Sequence, residues 1–324
     1  MPVLEETLAR LAAIPHLRVS EGPLLSQYTR FGIGGPARMF AETADETAFI
    51  EALAVARTSG MPYGVVGGGT NLIVADEGFP GIVLRFTADR IGGSGNRVFA
   101  DAGAVLQALV DHSIELGLSG LHTMTGIPGW VGAAVYGNAG AYGHSISESI
   151  RSVRFYDGAA LRTFSNPECA FAYRESAFKR HKDWIVFSCE LELEPADASE
   201  LRRTADGILT IRNEKYPPTM KCAGSIFKNL LMADLAVTVR AVIPERVVRE
   251  GKVPSAWFLE QVGAKGMRSG DIHVADYHAN LIYNAGSGSA RQLREIIGEL
   301  KGRVRERFGL DLEEEVQYVG FGGA

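Results

Sequence analysis

The sequence predicts an α+β protein with more than one compact unit, and three observations carry that expectation. Its 324 residues exceed the usual size of a single hydrophobic core. With 46% hydrophobic and 22% charged residues, it has the composition of a chain that buries a proper core. Short runs with strand character alternate with amphipathic stretches that carry helix-capping signals, and no segment repeats.

Residues 1–14 place Leu4, Leu8 and Leu11 on one helical face, with acids where a secretion signal needs bases. Thr43 and Glu46 read as a capping box for a helix through Phe49, Ile50 and Leu53, closed by Gly60. Residues 63–66 and 72–74 read as strands on either side of a glycine loop, with a further strand at 82–86. From Arg97 the pattern restarts with a strand at 98–102 and a helix carrying Leu106, Leu109, Val110 and Ile114 that ends at Gly117. Residues 119–143 hold seven glycines and Pro128, so a long ordered loop system is expected there rather than a regular element. Its Trp130, Tyr136 and Tyr142 favour a functional loop over a disordered one.

Strands are expected at 153–156 and 185–193, and helices at 198–212 and 256–262. Ser289 and Gln292 open a last helix that lines up Leu293, Ile296, Leu300, Val304 and Phe308 and stops at Gly309. A short strand at 315–319 is expected to return to the first unit. These elements divide the chain into 1–87, 88–212 and 213–312, with 313–324 joining the first part.

Composition excludes several functions. A net charge of −5 without a long single-sign run argues against a nucleic-acid surface. No stretch approaches the roughly 20 apolar residues of a membrane span. Cys169, Cys189 and Cys222 are odd in number and widely spaced, which fits reduced thiols rather than a disulfide framework. The histidines show no ligand spacing, so no metal site is expected. A cytoplasmic protein follows from these features.

Two glycine-rich surfaces carry the chemistry. Gly67, Gly68, Gly69, Thr70, Asn71 and Leu72 allow backbone amides to turn toward one point without a Cβ in the way of an anion, as a pyrophosphate cradle requires. A strand rather than a helix follows, so this is not a dinucleotide crossover motif, and taken alone a glycine-rich hairpin explains it equally well. The second surface runs from Thr125 through Gly126, Ile127, Pro128, Gly129, Trp130, Gly132 and Ala133 to Gly143. Small side chains there let main chain lie against a planar ring system. Together the two surfaces suggest one long, flat ligand containing a diphosphate.

At this point the sequence resembles the UDP-N-acetylenolpyruvoylglucosamine reductase family (UDP-N-acetylmuramate dehydrogenases), part of the flavoprotein superfamily that includes vanillyl-alcohol oxidase. The resemblance runs, in order, through residues 28–37, the two glycine surfaces, 173–178, 223–229, 278–280 and 312–316. It implies two α+β FAD-binding subdomains of the vanillyl-alcohol-oxidase/PCMH type and a C-terminal α+β substrate domain. The implied reaction passes hydride from NADPH through FAD to an enolpyruvyl ether, in peptidoglycan synthesis. The implied partners are NADPH and a nucleotide-sugar substrate, with no nucleic acid and no membrane, for a monomeric enzyme of the cytoplasm.

The resemblance also assigns roles. Arg174 matches the arginine that meets the substrate carboxylate and the developing enolate, Ser225 the hydroxyl that delivers a proton, and Glu315 the carboxyl that assists. Without it, Ser225 reads as a turn residue and Arg174 and Glu315 as surface or ion-pair residues. Arg212 and Lys215 resemble the family's basic stretch for a diphosphate. Asn229, Gln261 and Asn280 resemble polar contacts to uridine and sugar, and buried amides satisfied by backbone are the equal alternative. Tyr173 covers flavin or substrate, or is a core aromatic. His278 reads as a structural hydrogen-bonding residue.

Departures from the family are also visible. A tyrosine-bearing extra loop is missing, so the shorter type is implied, and residues 232–253 do not align. Trp130 and Ala133 stand where the family usually has threonine and glycine. The loop 67–71 lacks the histidine that related oxidases use for flavin attachment, which implies non-covalent FAD. Two other functions share parts of this pattern. A sugar-alcohol or lactone oxidase would share the glycine surfaces without the serine, glutamate and basic stretch, and a non-catalytic flavin or nucleotide-sugar sensor would bind without turnover.

Overall fold

The structure, a computed structural model, describes residues 2–322, so Met1 of the N-terminal helix and positions 323–324 lie outside the described residues. Two compact units are present: Met1–Pro23, Ala37–Gly68 and Pro80–Pro218 form the first, and Leu24–Pro36, Gly69–Phe79 and Thr219–Ala324 the second.

The first unit contains two larger sheets and two short two-stranded ones. One orders the strands Arg18–Glu21, Ala37–Thr43, Phe79–Phe86 and Tyr63–Val65, the last two parallel. Helices Pro2–Ala12 and Glu46–Thr58 bury Leu11, Phe49, Ala52 and Leu53 in the same core as Met39, Ile82, Leu84 and Phe187. Phe49 meets Phe86 and Phe187 edge to face at 5.7 Å. The cap of the second helix is Asp45, not Thr43. The Thr43 hydroxyl accepts the Asp45 amide at 3.0 Å, which leaves the Asp45 carboxylate to accept from Ala48 N at 2.8 Å. A carboxylate two residues closer is the stronger acceptor for a helix N-terminus.

The other sheet is antiparallel, in the order Leu161–Ser165, Ile150–Tyr156, Ile185–Glu192, Arg97–Asp101 and Ile91–Ser94. The edge strand Leu161–Ser165 is largely exposed and has no apolar alternation to read from sequence. Helices Leu106–Glu115, Val131–Tyr136 and Ala198–Lys215 contribute Leu109, Val110, Val135, Leu201 and Ala205 to its core. Residues 119–143 are therefore not all loop: a 6-residue helix buries Val131, Ala134 and Val135 on one face. Flanking glycines masked that short apolar face in the sequence.

The second unit is built on an antiparallel sheet ordered Lys221–Ser225, His278–Asn284, Ile272–Ala275 and Arg268–Ser269. Helix Ala290–Phe308 carries the expected Ser289–Gln292 capping box and ends at Gly309 with φ 66°. It buries Leu293, Ile296, Leu300 and Val304 against Ile226, Phe258, Ile272 and Val274. Each such side chain contributes about 1.5–3 kcal/mol by leaving water. The closing strand Gln317–Val319 pairs in parallel with Leu72–Val74, and both belong to this unit. The segment after Leu231 is a folded excursion closed by Leu230–Leu231 pairing with Lys252–Val253, and it buries Leu235, Val239 and Ile243. Among the described residues no helix is long and apolar enough to cross a membrane.

Candidate functional site

In the first unit Gly67 and Gly68 of the first glycine surface lie beside the second surface, far from them in sequence. A Cβ on Gly67 would lie 3.9 Å from the Ala133 Cβ, and one on Gly68 would press to 3.0 Å on the Trp130 ring. The Arg85 guanidinium lies 4.3 Å from the centre of that indole. Trp130 thus packs on the loop at Gly68. The amides of Gly67 and Gly68 meet no acceptor among the described residues. Donors in that state, on residues that carry no Cβ, fit the diphosphate of FAD.

The second surface is held rigidly. Gly126 N donates to Gln107 Oε1 at 2.7 Å, Leu106 N to Gly129 O at 2.9 Å, and Gly132 N to Ala102 O at 2.9 Å. Thr125 is buried and spends its hydroxyl on His122 O at 2.8 Å, and Ile127 N donates to Met124 O at 3.0 Å. Thr125, Gly126, Ile127 and Pro128 form one wall of a cavity of about 370 Å³, with Gln107 and Leu209 among its other lining residues.

Arg174 belongs to the same unit. It sits in the left-handed region at φ 58°, inside a tight turn closed by Glu175 N donating to Ala172 O at 3.1 Å. Such a conformation costs a non-glycine residue about 1–3 kcal/mol and persists only where the surroundings enforce it. Here Ser176 Oγ ties the turn to Tyr136 O at 2.7 Å, and Lys179 Nζ donates to Arg174 O at 2.8 Å. The result aims the guanidinium at the second glycine surface, where Nη2 donates to Gly140 O at 3.2 Å. Tyr173 lies beside it, with the Arg174 guanidinium 5.3 Å from its ring centre.

In the second unit Ser225 and Glu315 come together. Ser225 follows a bulge: Cys222 pairs with Tyr283, then Ser225 with Leu281, and Gly224 absorbs the extra residue at φ 74°. Immediately after it, residues 226–228 run beside 313–315, with Glu315 N donating to Ile226 O at 2.7 Å and Lys228 N to Glu313 O at 2.9 Å. Asn71 joins the same place, its Nδ2 donating to Glu315 O at 2.9 Å. Two residues before it, Gly69 is wedged against Tyr28: a Cβ would fall 1.7 Å from Tyr28 O. Thr70 and Leu72 continue this run into the strand that pairs with Gln317–Val319.

The remaining candidates separate by surroundings. Asn280 is 2% exposed, and its amide takes Phe227 N at 2.9 Å and gives to Phe227 O at 2.8 Å, so it holds the segment after Ser225. Asn229 Oδ1 accepts Ser255 N at 3.3 Å. Gln261 ends helix Ser255–Gln261, and its carbonyl accepts from Arg307. Lys215 and Arg212 close helix Ala198–Lys215 and both face the Tyr216 ring, at 5.2 and 5.6 Å. His278 Nδ1 accepts Asn280 N at 3.3 Å. Sequence reasoning missed Gln107 and Arg85, because a glutamine on a helix and an arginine in a strand carry no local signal of what they touch. No group of His, Cys, Asp or Glu suited to a metal occurs among the described residues.

Two family models match the chain. One, described as UDP-N-acetylenolpyruvoylglucosamine reductase, C-terminal domain, covers residues 216–319. The other, FAD binding domain, covers 37–160. The chain is 66% identical over 311 residues to a UDP-N-acetylenolpyruvoylglucosamine reductase of Solibacter usitatus, covering 96% of this chain and 100% of that one. It is 35% identical to one of a Synechococcus strain, covering 92% of each. Among solved structures, the UDP-N-acetylenolpyruvylglucosamine reductase of Thermus caldophilus superposes with a TM-score of 0.73 at 30% identity, over 94% of this chain and 99% of that one.

Proposed function

Because the chain belongs to the UDP-N-acetylenolpyruvoylglucosamine reductase family, we propose that it reduces the enolpyruvyl group of UDP-N-acetylglucosamine enolpyruvate, giving UDP-N-acetylmuramate for peptidoglycan synthesis. Bound FAD supplies the hydride, which NADPH provides. Gly67 and Gly68, with Gly69–Leu72 and Thr125–Ala133, would hold the cofactor without a covalent bond. Residues 1–87 and 88–212, with the closing strand, serve FAD binding, and 213–312 serve the substrate.

The observation that carries this reading is the enforced, strained turn at Arg174. Hydride addition at the terminal methylene leaves negative charge delocalised into the carboxylate, and a fixed guanidinium stabilises that charge at any working pH. Ser225 delivers the proton to the carbon bearing the ether oxygen, which a serine hydroxyl does only toward a strongly basic enolate in a closed site. Glu315 assists on the enolate side. Lys215 meets the nucleotide-sugar diphosphate, Tyr173 covers the substrate, and Asn229 and Gln261 give it polar contacts. Asn280 acts by positioning the Ser225 segment. The protein works as a cytoplasmic monomer.

The test is a split of half-reactions by stopped flow. Ser225→Ala should leave flavin reduction by NADPH nearly intact while slowing reoxidation by the enolpyruvyl substrate by about 100-fold or more. Equal slowing of both half-reactions removes the proton-donor role.

A further inference from the structure

Arg212 belongs to the basic stretch that closes helix Ala198–Lys215. It lies against Gly126 of the second glycine surface, where a Cβ would come 3.0 Å from its Cδ, 3.1 Å from its Nε and 3.3 Å from Leu209 Cδ1. The Nε is shut off from solvent and has no acceptor among the described residues. A charged donor left in that state is costly, and folded proteins supply it with a partner. Gly126 keeps the space over it clear: a methyl group at 3.1 Å would occupy the place in which a hydrogen-bond acceptor of Nε would sit. Gly126, Leu209 and the cavity of about 370 Å³ share this face of helix Ala198–Lys215.

We propose that Arg212 is a ligand of the FAD diphosphate and not of the nucleotide sugar. A guanidinium N–H and a phosphate oxygen form a short, charge-assisted hydrogen bond, and Gly126 belongs to the surface that faces the cofactor. Lys215, three residues on and exposed, is left as the substrate's cation. The assignment rests on the FAD reading above and moves one member of the basic stretch from substrate to cofactor.

The test strips FAD from the protein and titrates the apoprotein with FAD and, separately, with riboflavin, which lacks the diphosphate. Arg212→Met keeps the hydrocarbon packing on Gly126 and removes every donor. It should raise the Kd for FAD about 10- to 100-fold while moving that for riboflavin less than about twofold. Arg212→Lys should fall between. On FAD-saturated protein, the Kd for UDP-N-acetylglucosamine enolpyruvate should shift less than about threefold with Arg212→Met and more than about tenfold with Lys215→Met. An unchanged FAD Kd, an equal loss for FAD and riboflavin, or a loss confined to the nucleotide sugar overturns the assignment. Failure of the unmodified apoprotein to bind FAD at all strikes the functional reading instead, so the two failures are distinguishable.

Discussion

Gly69 and Arg174 share nearly the same backbone conformation, at φ 67° and 58°, for opposite reasons. Gly69 is there because nothing larger fits: a Cβ would overlap Tyr28 O at 1.7 Å. Gly69→Ala should therefore displace the loop and lower the FAD retained on purification, as read from the ratio of flavin to protein absorbance. Full retention would mean that the loop tolerates the shift. Arg174 is there despite its side chain, and the surrounding bonds from Ser176 and Lys179 hold it. Arg174→Lys keeps the turn but loses the planar fork, so the melting temperature should stay put while the rate of reoxidation by substrate falls about 100-fold. The glycine motif was legible as a conformationally demanding turn because glycine type alone reports such a demand. Arg174 was not, since its turn is tied to residues far earlier in the chain, Arg174 itself to Gly140, 34 positions back, and Ser176 to Tyr136, 40 positions back; only the ordered resemblance singled it out.

Among the elements, helices with strong apolar periodicity matched their expected places. Helix Ala290–Phe308 opened and closed at the residues its sequence names. Elements governed by long-range contacts did not: the 6-residue helix Val131–Tyr136 is too short for periodicity, and the edge strand Leu161–Ser165 takes its shape from its neighbour Ile150–Tyr156. Asn280 shows the same limit for a side chain. Either a ligand contact or a buried structural amide suited the sequence, and its two bonds to the Phe227 backbone favour the second. Asn280→Ala strands a buried N–H and C=O and should cost about 2–4 kcal/mol in a urea melt. A loss under about 0.5 kcal/mol would return Asn280 to the surface of the site. In contrast, a Cβ on the exposed Gly207, within helix Ala198–Lys215, meets nothing within 4 Å. Gly207→Ala should stabilise the protein by about 0.5–1 kcal/mol.

At the scale of the whole molecule, all three thiols are buried, and burial pushes those of Cys169 and Cys189 up to about 12. A thiol-specific reagent at pH 8 should find no reactive cysteine in the native protein and three after denaturation; rapid native labelling would contradict the packing. The first unit holds two hydrophobic cores and the second one, and the presence of more than one compact unit was foreseeable from length and patterning. Their exact membership was not, because residues 24–36 and 69–79 leave their sequence neighbours to join the C-terminal part. What the folded chain does as a reductase is tested most directly without oxygen. The purified protein, its flavin bleached by one equivalent of NADPH, is mixed with UDP-N-acetylglucosamine enolpyruvate while absorbance near 450 nm is followed. The account predicts rapid return of the oxidised flavin band with formation of UDP-N-acetylmuramate; a flavin that stays bleached would contradict it.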